Sequence, residues 1–188
     1  QNNMACDISK GRKEVCKNSV GGLNAIYFIN YGDVNVNDYT YDGTDTDMIT
    51  DINGAGTINA YKYELKGTSS FTQNVNSSRE NGTTFMEQVL ELTLKDLTVA
   101  MHKEVKLLTY GRPIILVEDN NGKFFLAGLQ HGMDVTGGTI VTGAAMGDLS
   151  GYTLTLTGGE KVPANFVDVA SGSATDLLTV GLTLVQGA

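Results

Sequence analysis

Five aspartates between residues 38 and 51, two histidines, two cysteines and one glutamate pair are the groups whose types and spacing could do chemistry here. Calcium takes hard oxygen ligands at alternate positions, and Asp38, Asp42, Asp45, Asp47 and Asp51 resemble such a loop at first sight. The register fails. With Gly43 as the turn glycine, positions one and five are Asp38 and Asp42, but position three is Thr40 and the bidentate acid at position twelve is Ile49. A solvated acidic loop is the preferred reading. His102 lies beside Lys103 and His131 beside Gly132, neither in a recognised spacing to a nucleophile, so Ser-His or Cys-His catalysis has no support. Glu87 and Glu91 are four residues apart, and the rise of an extended strand separates them by about 13 Å, too far for a direct carboxylate pair.

Cys6 and Cys16 share an N-terminal segment with Lys10, Arg12, Lys13 and Lys17. A disulfide and two free thiols both stay open. Free thiols in a reducing cytoplasm are favoured, because two cysteines make no stabilising framework in a chain of this length. Two imidazoles without Cys-x-x-Cys or His-x-x-x-His spacing leave zinc short of ligands. "GGLNAI" and "TGAAMG" lack the strand, glycine spacing and helix of a phosphate cradle, so their glycines read as turns. The sequons at Asn76 and Asn81 read as chance in an Asn/Thr-rich chain. The expectation is no catalytic residue, no metal and no cofactor.

The elements that would position any site are strands. Of 188 residues, 41% are hydrophobic and 18% charged, too apolar for disorder, and no run approaches the roughly 18 apolar residues of a membrane span. Twenty-three glycines against two prolines, abundant Thr and alternating Val/Ile/Tyr/Phe segments predict a mainly β single domain over 1–188. A formal net charge of −8 leaves no extended basic field for sequence-specific nucleic-acid binding. No apolar leader is visible, so soluble cytoplasmic synthesis is the expectation.

Residues 1–22 read as an arm or short helix, 23–31 as a first strand, and 32–56 as a long acidic loop or hidden hairpin. Shortening the stretch between Asp38 and Ile52 is accordingly expected to leave the subunit folded. Strands follow at 57–67, 69–78 and 85–97, the last with Leu90, Leu92 and Leu94 on one face and Val89, Glu91, Thr93 and Lys95 on the other. The period then changes. Leu97, Met101, Val105 and Leu108 fall at helical spacing and predict a helix over about 96–110, with Asp96 as its cap, Gly111 and Pro113 ending it, and these four residues as its core face. "RPIILVEDNNGKFFLAG", residues 112–128, reads as a tight hairpin in which Asn121 and Gly122 supply positive φ. Residues 131–151 read as a glycine-rich link, 175–186 as a last strand, and 169–188 as a C-terminal extension.

Strands, a long polar loop, strands, one helix, a tight hairpin and a closing strand resemble the phage tail tube fold, shared with the inner tubes of contractile injection systems. Residues 82–168 carry the likeness, with a helix ahead of the hairpin "VEDNNGKFF" (117–125), and look like virion proteins of phages of Bacteroidota-type hosts. The resemblance implies a β-sandwich or barrel of two packed antiparallel sheets with one flanking helix. It further implies that the chain partners itself, forming hexameric rings that stack into a tube around a lumen conducting DNA without sequence-specific binding, in contact with other tail proteins. The location it implies is the virion, after synthesis in the host bacterial cytoplasm. On that reading Asp38, Asp42, Asp45, Asp47 and Asp51 lie in an inter-subunit loop, and Glu91 and Thr93 are candidates to face the lumen. A head-tail adaptor, tail terminator or capsid-associated protein could use similar parts. A secreted β-sandwich adhesin or glycan-binding module would share the strands but would call for a leader and an exposed aromatic platform, against the absence of Trp.

Overall fold

A computed structural model describes residue 8, residues 10–169 and residues 174–187. Alternation in "TTFMEQVLELTLK" does what a half-buried strand requires. In β6 (Thr83–Lys95), Leu90, Leu92 and Leu94 are buried while Glu91 and Lys95 stay exposed. It pairs antiparallel with β5 (Ser70–Ser78) on one side and β10 (Gly151–Glu160) on the other, and β10 pairs with β9 (Asp134–Val141). The four form an antiparallel sheet in the order β5-β6-β10-β9. β9 corrects the reading of 131–151 as a link: its Gly137-Gly138 pair breaks the alternation, yet it holds a bulged register against β10.

A second sheet has eight strands in the order β12-β4-β1-β7-β8-β11-β3-β2. They are β1 (Leu23–Ile29), β2 (Tyr39–Tyr41), β3 (Met48–Ile52), β4 (Ile58–Glu64), β7 (Ile114–Asp119), β8 (Phe124–Ala127), β11 (Asn165–Val167) and β12 (Leu182–Gln186). The sheet is mixed, not purely antiparallel, because β12 runs parallel to β4 and β11 parallel to β3. It curls around its own core, in which Tyr27, Ile49, Ile58, Leu116 and Leu182 are all buried. A 3-10 helix at Ala174–Val180 touches both β12 and β3 and adds Leu177 and Val180 to that core, where a last strand over 175–186 was expected. Gly181, at φ +82°, abuts the carbonyl of Ile52, so the turn into β12 lies against β3 and the roll is nearly closed.

The four-stranded sheet packs its leucine face on the outside of this roll. Leu90, Leu92, Leu154 and Leu156 meet Ile26, Phe28, Ile115 and Val117 in a second core. β1 and β7 therefore feed both cores with alternate residues, which is why "AIYFI" and "IILV" are unbroken apolar runs. The fold is mainly β, a sandwich-like pairing of two sheets with a single flanking helix among the described residues.

That helix, α1 (Val99–Tyr110), starts later than expected, and its cap is not Asp96. Asp96 sits at φ +72° in the turn out of β6, whereas Thr98 is extended and its hydroxyl accepts from the backbone N–H of Met101 at 3.1 Å. Val105 is its one buried residue, and Leu97, Met101 and Leu108 pack half-buried against the second core.

Residues 32–56 hold two 3-10 turns and the hairpin β2-β3. Tyr39, Ile49 and Ile52 are buried in the first core, so this segment is part of the rolled sheet and only its tip is loop. In the β7-β8 hairpin Gly122 alone takes positive φ, at +76°. Asp119 shapes the turn by accepting from the N–H groups of Asn121 and Lys123. The asparagines are thereby freed to hold the chain entering β1. Asn121 accepts from the Val20 N–H at 2.9 Å and donates to the Val20 carbonyl at 2.8 Å, and Asn120 donates to the Gly21 carbonyl at 2.8 Å. The described residues before Val20 form neither helix nor strand.

Candidate functional site

The face of the four-stranded sheet turned away from the leucines is built from hydroxyls, amides and carboxylates. Register places Ser70, Glu91, Thr155 and Gly137 in one row across the strands and Thr72, Val89, Thr157 and Asp134 in the next. Glu91 is exposed; Thr93, half-buried beside it, donates its hydroxyl to the Thr68 carbonyl at 3.0 Å. Glu87 shares the face four residues along the strand from Glu91, and Asp134 meets Arg112 across 3.7 Å. The surface is polar and carries more acid than base.

Both edges of this sheet are unpaired in the subunit. β5 is nine residues long with no charge, no proline and no bulge, so it has none of the features that keep an edge from pairing with another chain. The opposite edge, β9, carries one charge, Asp134, and its Gly138 lies against the Thr153 carbonyl where no side chain would fit. The strands alternate in direction and are four in number. β9 of one copy can therefore pair antiparallel with β5 of the next while both copies keep the same orientation.

The remaining predicted residues are not brought to this face. Asp38 accepts from the Asn35 N–H, Asp42 from those of Thr44 and Asp45, Asp45 from that of Asp47, and Asp51 from that of Ile52. Asp38, Asp42 and Asp45 cap their own turns while Asp51 sits within β3, and the Asp45 and Thr44 N–H groups hold Asp42 below the usual carboxylate range. No three His, Cys, Asp or Glu side chains converge as a metal set among the described residues. Cys16 is an exposed thiol, and Cys6 lies outside the described residues, as does any pairing between them. The ring of His102 stands 3.5 Å from the Tyr152 hydroxyl, and the His131 backbone N–H donates to buried Glu160.

Sequence reasoning missed a buried polar pair under the hairpin. Glu118, 6% exposed, accepts from the Tyr27 hydroxyl at 2.8 Å and from Asn24 at 3.0 Å. Burial, and then Glu118, push the Tyr27 phenol well above its ordinary value. A glutamate in a fully apolar register position, directly after "IILV", was the available signal. Two open depressions flank the roll. One of about 610 Å³ lies between the 3-10 turns after β1 and residues 129–131; another of about 750 Å³ runs between β4, β12 and the start of α1. No described helix is long and apolar enough to cross a membrane.

Compared with family models, with curated proteins and with solved structures, the chain matches none.

Proposed function

We propose that this protein is a virion structural protein, the tail tube subunit of a tailed phage, working by self-assembly and not by catalysis. The observation that carries the reading is the four-stranded sheet: a polar, acidic outer face bounded by two unpaired edges whose directions permit head-to-tail closure. Ring closure satisfies the backbone groups that β5 and β9 leave unpaired and removes the aggregation hazard of a bare edge. Six copies would contribute roughly 24 strands, a circumference of ~115 Å and ~37 Å across the backbone before strand tilt widens it. That leaves room for a double helix between facing side chains. Glu87 and Glu91 would then point into the lumen, and an acidic wall does not grip passing phosphates. The eight-stranded roll and α1 lie on the outside, available to other tail proteins.

Negative-stain electron microscopy of the purified protein, with light scattering for particle mass, tests this. Hollow rings or tubes are the expected result. A mass of one 20.0 kDa subunit across a full concentration series overturns it.

A further inference from the structure

The four-stranded sheet has stepped ends. At one end the β5-β6 hairpin runs beyond the last β6-β10 pair, Met86 with Glu160, by three further pairs from Asn76-Phe85 to Ser78-Thr83. That overhang is ~10 Å long and stands on the β5-β6 half alone. At the other end β5 starts opposite Glu91, while β6 and β10 run on to Lys95 and Gly151, and the β9-β10 connection at 142–150 projects from the other half. Each copy thus carries a projection on opposite halves of its two ends, with a notch beside each. Sliding one copy along the strand direction brings the 142–150 projection of one into the notch of the other.

The surfaces of projection and notch match in kind. At the tip, Met146 is fully exposed, and Gly143 at φ +76° together with Asp148, which accepts from the Ala144 and Ala145 N–H groups at 3.0 and 2.8 Å, fixes the loop's shape. In the notch, Phe85 is 46% exposed and reaches within 3.9 Å of the Cβ position of Gly159, leaning over the step, and Val162 is 45% exposed. Lys161 is exposed there and makes no ion pair among the described residues, opposite in sign to Asp148 on the tip. Seating Met146 there would take a large apolar side chain out of water, and the contact recurs once per subunit around a ring.

We infer that the partner of the 142–150 tip is a second copy of this chain. Met146 of one subunit seats in the Phe85-Val162 notch of the subunit stacked on it, and the step keys the rotation of one ring on the next. This rests on the tube reading and adds to it the axial contact and its register. Because the projection at one end and the notch at the other both sit on the β9-β10 half of the sheet, stacked subunits line up along the strand direction without a lateral offset.

Met146→Glu and Val162→Glu test the contact separately, both at exposed positions where folding is expected to persist. A further protein has Cys6 and Cys16 replaced by Ser and carries Met146→Cys with Val162→Cys. Rings without stacks are expected from either glutamate variant, and a reducible ladder of cross-linked copies from the cysteine pair but from neither cysteine alone. Stacks of normal length from both glutamate variants, with no ladder, would overturn the inference while leaving the ring reading intact. A wild-type protein that forms no rings would instead sink the tube reading, and this contact with it.

Discussion

A proline scan along β5, one substitution at a time from Phe71 to Ser77, separates what the strand does for its own subunit from what it does for a neighbour. Successive residues of an antiparallel edge strand point their N–H groups alternately at the paired strand and at the empty side. Where the N–H faces β6, proline removes a ladder bond inside the subunit, at a cost of about 1–3 kcal/mol. A protein of this size loses roughly 2–4 °C of Tm per kcal/mol, so a fall of about 2–12 °C is expected there. Where the N–H faces outward and the side chain is exposed, the subunit should be unaffected within about 0.5 kcal/mol, because edge prolines are tolerated; at Phe71, packed on the second core, and Gln73, which accepts from the Ala164 N–H, proline also deletes those contacts and stability falls. The seam, however, loses a bond and meets a ring carbon in its place. The same 1–3 kcal/mol then weakens each association step roughly 5- to 150-fold. Thermal melts and analytical ultracentrifugation, read position by position, should alternate: stability falls at one set and assembly at the other. Assembly defects that simply track Tm, with no period of two, would refute pairing through this edge.

Replacing the tip Gly43–Thr46 by a shorter turn should leave Tm nearly unchanged, whereas deleting 38–52 should unfold the protein, since it removes Tyr39, Ile49 and Ile52 at about 2–5 kcal/mol each; circular dichroism on both variants checks this, and a folded 38–52 deletion would contradict it. On α1, Val105→Asp should cost about 3 kcal/mol and Met101→Asp or Leu108→Asp about 1–2, because only Val105 is buried; equal losses in urea titration would show the helix seated differently. In alkali, burial pushes Tyr63 up to about 12 and Tyr27 and Tyr39 higher, against 10.0 in the unfolded chain. The fold favours their neutral forms, so this stability is whole below pH 10 and is lost as pH rises through 10 to 12 and beyond. Phenolate absorbance should therefore report buried Tyr27 and Tyr39 ionising only together with unfolding, and titration of either in the native protein near pH 10 would refute its burial.

What was legible in the sequence follows from how local the determinant is. Leu90, Leu92 and Leu94 share a face through backbone geometry alone, and the stripe could be read directly. The runs at 25–29 and 114–117 announced strands, but not that each serves two cores, which depends on a sheet packed from elsewhere in the chain. β9 escaped because an edge strand with two glycines has little apolar pattern to show. The order of the eight strands, with β12 beside β4 and β11 beside β3, joins residues more than a hundred positions apart, and nothing local encodes it. Asp96 looked like a helix cap because its type is right; the turn out of β6 takes it to positive φ and hands the role to Thr98. Of the candidate site, Glu91 and Thr93 were placed on the polar face by alternation, while the edges that make that face useful were invisible until strand order was known.

The asparagine pair at the hairpin tip has a consequence for whatever the N-terminal segment meets. Val20 is fastened to the β7-β8 hairpin tip, and from there the chain back to Lys10 can span at most about 35 Å. Lys10, Arg12, Lys13 and Lys17 are thereby confined to a volume in which each subunit supplies them at an effective concentration on the order of 10 mM. Any acidic surface inside that radius is met at this concentration whatever the dilution of the protein. Contacts individually too weak to detect between free molecules would then be occupied, provided Asn121 keeps its hold on Val20.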